Sequence, residues 1–321
     1  MSDLIDPGYY ALLEQQAESG VPPRHALSTA GARAVMEAGP EKYQYPVGAV
    51  QDVQIEGHDG DIPIRLYRPD GPGPFPVLVY LHGGGWVRGT IDAVDAKCRA
   101  LAHKSGVMIA SVGYRLAPEH PFPAAVQDSR RAVEWIAEFA PAFAADPNRI
   151  AVGGMSAGGN LTAVLALWFR DHSDIDIAYQ LLLNPVTDYH PDLPSYSRFD
   201  RSFWMEECPP GAGGYPLSVE DMIWYWNRYL RDPVDAHNPY VSPLRAPHVG
   251  GTPPATVVVS ELDPLRDEGV AYAERLEEAD VPVEIIEYDG VFHSFVAVFS
   301  ELERADAALD DIAHRISSAL A

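Results

Sequence analysis

A chain of 321 residues with 47% hydrophobic residues can bury one large core and is too apolar to be disordered. Its 46 acidic and 23 basic residues leave a formal net charge of −23, which argues against nucleic acid and anionic membrane surfaces as partners. Cys98 and Cys208 are the only cysteines and have no metal-ligand spacing, so neither a disulfide framework nor a zinc site is expected.

The amino terminus, Met1-Ser2-Asp3-Leu4-Ile5-Asp6, carries acid where a secretion signal carries base. No apolar run approaches the roughly 20 residues of a bilayer span. A cytoplasmic location without membrane insertion is therefore expected. Residues 1–45 show helical patterning near Tyr9–Glu14 and Ala30–Glu37 and no strand pattern. Val53–Glu56 and Ile62–Tyr67 then alternate as antiparallel strands around the turn His58-Asp59-Gly60. From Val77 onward strands and helices take turns. The segments are Pro76–Leu81, Ala93–Ser105, Val107–Val112, Ala124–Phe139, Arg149–Gly153, Leu161–Asp171 and Tyr179–Leu183. That rhythm predicts a mostly parallel sheet covered on both faces, an α/β class fold. It breaks between Pro185 and about Pro254, where aromatic residues gather and the clear helix is Ser218–Leu230, with Ser218 as N-cap. The loop Pro209–Gly214 is expected to be mobile. Strands resume at Thr256–Ser260 and Val283–Tyr288. The expected organisation is a core in two parts, residues 46–185 and 255–321. The insertion 186–254 and residues 1–45 together form a helical cap, since long insertions in compact domains are usually functional.

Gly154-Met155-Ser156-Ala157-Gly158 falls between a strand and a helix. Small-residue turns recur by chance, so the context carries the weight: strand, Gly-x-Ser-x-Gly, helix is a nucleophile elbow. His82-Gly83-Gly84-Gly85-Trp86 directly follows another strand. Glycines there let backbone N–H groups approach the oxyanion of an acyl-transfer intermediate. A phosphate-cradling loop would want Gly-Lys-Ser/Thr or a spaced glycine pattern, and neither is present. Asp263 and His293 each come just after a strand, as Ser156 does, and at that edge open α/β sheets bind ligands. In this order a histidine would take the serine proton and return it to the leaving group, with the aspartate fixing the imidazole. Asp263 is favoured over Glu261 and Asp267, the latter lying in the first turn of a helix, where a carboxylate serves the dipole.

Tyr80-Leu-His-Gly-Gly-Gly-Trp86, Tyr114-Arg-Leu-Ala-Pro-Glu-His-Pro121, Gly154-Met-Ser-Ala-Gly-Gly159, Asp263-Pro-Leu-Arg-Asp-Glu-Gly269 and His293 carry a family resemblance over roughly residues 50–321. The chain resembles the hormone-sensitive-lipase-like carboxylesterases of the α/β-hydrolase superfamily. The resemblance implies an α/β-hydrolase fold with a helical cap, a triad of Ser156, Asp263 and His293, and an oxyanion hole built from the N–H groups of Gly83, Gly84 and Ala157. It also implies a preference for short acyl chains. The family commonly has Asp where Met155 and Gly113 stand here, and glycine at Ser294. Arg115 and Glu119 are read as an ion pair supporting the oxyanion loop.

The expected function is a serine carboxylesterase acting on small, uncharged esters through an acyl-enzyme, with no metal or organic cofactor implied. The partner is the small-molecule ester itself, and the reading allows a homodimer. Phe203, Trp204 and Met205 are the expected substrate-binding residues. An amidase, deacetylase or acyltransferase could use the same triad, and a small-molecule receptor could use the same fold. The only lysines are Lys42, Lys97 and Lys104. An acidic, lysine-poor surface fits tolerance of high salt, and ordinary acidity with an arginine-favouring genome explains it equally well.

Overall fold

The computed structural model describes residues 4–37, 45–190, 192–212 and 216–321. Part of the amino-terminal segment assigned to the cap, Gly213 and Gly214 of the expected mobile loop, and Tyr215 lie outside the described residues. Two helices, α1 (Pro7–Glu18) and α2 (Thr29–Glu37), precede the sheet. The strands are β1 (Ala49–Gly57), β2 (Gly60–Arg68), β3 (Phe75–Leu81), β4 (Met108–Val112), β5 (Ala145–Met155), β6 (Ile177–Leu183), β7 (Ala255–Leu262) and β8 (Val283–Phe292). Among them run α3 (Asp95–Ser105), α4 (Ala124–Phe139), α5 (Ala157–His172), α6 (Pro194–Arg198), α7 (Arg201–Glu207), α8 (Val219–Tyr229) and α9 (Arg266–Glu278), and α10 (Glu303–Ala319) ends the chain.

All eight strands form one sheet in the order β1-β2-β4-β3-β5-β6-β7-β8. β2 pairs antiparallel with β1 and β4, and every pair from β4–β3 onward is parallel. The period of two along β3 shows how both faces are covered. Val77, Val79 and Leu81 enter one cluster with Val133 of α4 and Val164 of α5. Leu78 and Tyr80 enter another with Leu101 of α3 and Leu309 of α10. Helix α9 adds Tyr272 and Leu276 to a third cluster around β7. This is an α/β-hydrolase fold.

The register fixes where the candidate site residues emerge. Leu81 pairs with Gly154, Gly154 with Leu182, Leu182 with Val257, and Val257 with Ile285. The carboxyl ends of β3, β5, β7 and β8 therefore share one edge. At the amino terminus, Asp6 caps α1 by accepting from the N–H of Gly8 and Tyr9, and its own N–H donates to the Gly290 carbonyl at 2.8 Å. Helix α8 begins with a reciprocal capping box between Ser218 and Asp221, which supplies the expected N-cap.

Candidate active site

Strand β5 ends at Met155 and α5 starts at Ala157, so Ser156 alone makes the turn. It does so at φ 59° and ψ −118°, a strained conformation for a residue with a side chain. The turn is held by the Ser156 N–H, which donates to the Leu183 carbonyl at 2.8 Å. Two glycines make it sterically feasible. A Cβ on Gly158 would sit 1.9 Å from the Leu81 carbonyl oxygen, and one on Gly154 would sit 2.5 Å from the backbone of Gly158. The Gly-x-Ser-x-Gly spacing is thus the condition for lifting a serine hydroxyl off the sheet edge.

His293 follows β8 directly, and its Nε2 lies 2.9 Å from Ser156 Oγ. Its Nδ1 lies 2.7 Å from Asp263 Oδ2, and Asp263 is wholly buried at the end of β7. A buried carboxylate accepts, so Nδ1–H donates to Asp263 and Nε2 is left to accept from the serine hydroxyl. Asp263 is held in turn. Its Oδ1 accepts from the Leu265 N–H at 2.9 Å, and its Oδ2 also accepts from Asn184 Nδ2 at 3.0 Å. Asn184, just after β6, also donates to Ser260 Oγ and was missed from the sequence, although a polar residue directly after an apolar strand was a readable signal. The rival carboxylates are engaged elsewhere. Glu261 accepts from the Gly290 N–H at 2.7 Å, and Asp267 accepts from the Ser195 N–H at 2.8 Å.

Gly83 and Gly84 line the same cavity as Ser156, and Ala157 opens α5, where the helix offers its N–H no acceptor. Beneath the glycines, His82 stacks on Tyr114 with ring centroids 4.2 Å apart, and Tyr114 donates its hydroxyl proton to the His82 carbonyl at 2.7 Å. Burial pushes the His82 pKa down to about 4, so at neutral pH it is an uncharged spacer whose Nδ1–H meets the Gly83 carbonyl at 2.9 Å. The expected Arg115–Glu119 pair does not form. Arg115 grips Asp128 and reaches Asp59, while Glu119 pairs with Arg33 of α2. Arg33 also donates to the carbonyls of Val87 and Ala117, so the glycine loop after β3 is braced from α2. Those residues are not helical, and the arginine finds a buried carboxylate 13 residues on.

A cavity of about 230 Å³ opens above Ser156 and His293, walled by Met36, Val186, Leu217, Met222, Tyr225 and Val298 among others. Phe203, Trp204 and Met205 are not on that wall, which corrects the expectation from sequence. The indole N–H of Trp204 donates to the Leu217 carbonyl at 2.9 Å, and its ring stacks on Phe199 in the core. Met205, one residue and about 100° further round α7, is 61% exposed. The cavity is instead met by Met222 and Tyr225, one turn apart on α8. Trp226 and Tyr229 of the same helix clasp Trp86, with centroids 4.6 and 4.2 Å away.

With this geometry in place, a family model described as the α/β-hydrolase fold matches residues 78–297. The chain belongs to the hormone-sensitive-lipase-like family of α/β-hydrolases. It is 41% identical over 278 residues to a carboxylic ester hydrolase, LipN, of Mycobacterium tuberculosis, covering 85% of this chain and 70% of that one. It is 36% identical over 311 residues to an ethyl acetate hydrolase of Pseudomonas putida, covering 94% of each. Among solved structures it superposes on a hyperthermophilic esterase from the archaeon Pyrobaculum calidifontis with a TM-score of 0.91 at 36% identity, over 99% of both chains.

Where the chain departs from the family pattern, the replacements have identifiable neighbours. Met155 receives Lys97 Nζ at 3.4 Å on its sulfur. A side chain at Gly113 would meet Pro63 Cγ at 2.7 Å, so the neighbouring proline explains the glycine. Ser294 sits in the left-handed region at φ 61°, which a glycine would adopt without strain.

Proposed function

We propose that this α/β-hydrolase cleaves small carboxylic esters with short acyl chains, with Ser156 as nucleophile, His293 as base and then acid, and Asp263 as the group that orients and stabilises the imidazolium. The carrying observation is the continuous line Ser156 Oγ, His293 Nε2, His293 Nδ1, Asp263 Oδ2, with links of 2.9 and 2.7 Å. Ser156 attacks the ester carbonyl as its proton passes to His293. The N–H groups of Gly83, Gly84 and Ala157 receive the oxyanion. His293 returns the proton to the departing alkoxide, and a water activated by the same imidazole releases the acyl group. The apolar wall and limited volume of the cavity favour short chains.

Residues 1–45 and 186–254 act as the cap over a hydrolase core in this reading. Gln16, Arg24, Met36, Leu217, Met222 and Tyr225 all face the cavity that holds Ser156, which supports it. Among the described residues no helix is long and apolar enough to cross a membrane. Incubation with a fluorophosphonate followed by peptide mapping tests the chemistry: one adduct is expected, on the peptide bearing Ser156. A modified serine elsewhere, or none in a protein that turns over esters, would remove Ser156 from the mechanism.

A further inference from the structure

Two arginines face the cavity above Ser156, and they are not equivalently partnered. Arg24 lies with Nη1 3.3 Å from Asp221 Oδ2 and donates to the Pro216 carbonyl at 3.2 Å. Asp221 is almost wholly buried and also accepts from the main-chain N–H and the imidazole of His25, each at 3.0 Å. Its carboxylate is therefore already occupied. Arg88 forms no ion pair among the described residues and its Nε is enclosed without a hydrogen-bond partner, so its only polar support is the Tyr225 side chain and the longer-range attraction of Asp221. Two guanidinium groups against one carboxylate leave a positive charge beside the cavity.

The position of Arg88 relative to the chemistry follows from the loop. Its main-chain N–H donates to the Gly84 carbonyl at 3.1 Å, and a Cβ on Gly84 would touch Arg88 Cγ at 3.0 Å. The side chain thus rises directly beside the glycines assigned to the oxyanion. Its guanidinium stands 5.9 Å from the centre of the Tyr225 ring, which lies against Gly85. A guanidinium cannot shed its proton to escape burial, and burial accordingly disfavours its charge here. Its planar fork of donors matches a carboxylate better than any neutral group. The net charge of −23 does not exclude an anionic ligand, because surface charge is screened beyond about 10 Å at 0.1 M salt while a contact in the cavity is not.

We infer that Arg88 is a specificity-determining residue that receives a carboxylate of the substrate, so that the preferred esters carry a free carboxylate near the scissile bond. This rests on the hydrolase reading above and goes beyond the uncharged esters expected from sequence. The carboxylate can belong to the acyl half, as in a dicarboxylic acid monoester, or to the alcohol half, as in an acylated hydroxy acid. The test separates the two.

Initial rates on two matched pairs, followed by acid release at low salt, give the comparison. One pair is monoethyl succinate against ethyl pentanoate, and the other is 3-acetoxypropanoate against butyl acetate. In the parent enzyme the charged member of one pair is expected to have the higher kcat/KM. In Arg88→Leu that charged-to-neutral ratio should fall about tenfold to a hundredfold, the range for a lost charge-assisted hydrogen bond, chiefly through KM. Arg88→Lys should keep part of the preference. The pair that responds identifies the acyl or the alcohol side. Each ratio is internal to one protein, so a loss of folded enzyme cancels, and Arg88→Gln carries the same comparison if Arg88→Leu does not fold. Ratios that match between the parent and all Arg88 variants, with neutral esters still cleaved, would overturn this inference alone and leave Arg88 as a partner of Tyr225. Failure of the parent enzyme on all four esters would overturn the hydrolase reading and the inference with it.

Discussion

Lys97 shows how one replacement propagates through the site. It is only 5% exposed, sits one position before Cys98 on α3, and its ammonium meets the sulfur of Met155 where the family commonly has a carboxylate. Burial lowers its pKa from 10.5 to about 8. Between those two values the unfolded chain holds a proton that the folded one has released, so this group makes stability rise with pH across that window. Below pH 8 both states are charged and the burial cost is fully present, on the order of 3 kcal/mol at about 1.4 kcal/mol per pH unit. Lys97→Met should therefore be the more stable protein at pH 7 by a cost of that order, with the gap closing toward pH 10.5. Urea unfolding of both proteins at several pH values checks this, and a gap that is absent or independent of pH would contradict it. Glu268 offers a second case. Its buried carboxyl is pushed well above the usual carboxylate range, chiefly by desolvation, while Oε1 accepts from the N–H groups of Thr187 and Asp188. Glu268→Gln should cost little, whereas Glu268→Ala strands two buried donors and should cost about 1–3 kcal/mol for each one left unsatisfied.

At the scale of elements, α7 and α8 divide the labour that the sequence assigned to α7 alone. Trp204→Ala should lower stability by about 3–5 kcal/mol and depress activity on esters of every chain length alike, because the ring fills core space and does not line the cavity. Met222→Ala on α8 should instead shift the preferred acyl length upward, since that side chain is on the wall. Comparing kcat/KM on acetate, butyrate, hexanoate and octanoate esters distinguishes the two, and a shifted profile in Trp204→Ala would contradict the assignment. The contrast also explains what could be read from sequence. Strands β3, β4, β6 and β7 were legible because they are short apolar runs buried on both faces, and the elbow was legible because its turn is local. Which face of α7 or α8 meets the cavity depends on Leu217, Trp86 and Phe199, contacts made through the tertiary fold that periodicity does not encode. Arg33 went unread for the same reason, and Asn184, though its polar position after β6 was readable, has partners distant in sequence.

For the whole molecule, a net charge of −23 means that like-charge repulsion opposes the compact state even though many arginines are paired with carboxylates. The melting temperature should therefore rise as sodium chloride increases from low to near-molar concentration, and a flat or falling curve would point to ordinary acidity. The ends of β5, β7 and β8 come to one edge of the sheet, and Ser156, Asp263 and His293 meet there. The most direct measurement is kcat/KM for a short-chain p-nitrophenyl ester in folded Ser156→Ala, compared with Asp263→Asn and Asp267→Asn. Ser156→Ala should lose on the order of a millionfold. Asp263→Asn should lose about ten-thousandfold through the wrong imidazole tautomer, and Asp267→Asn far less. Near-parental turnover in Ser156→Ala, or a greater loss in Asp267→Asn than in Asp263→Asn, would contradict the assignment.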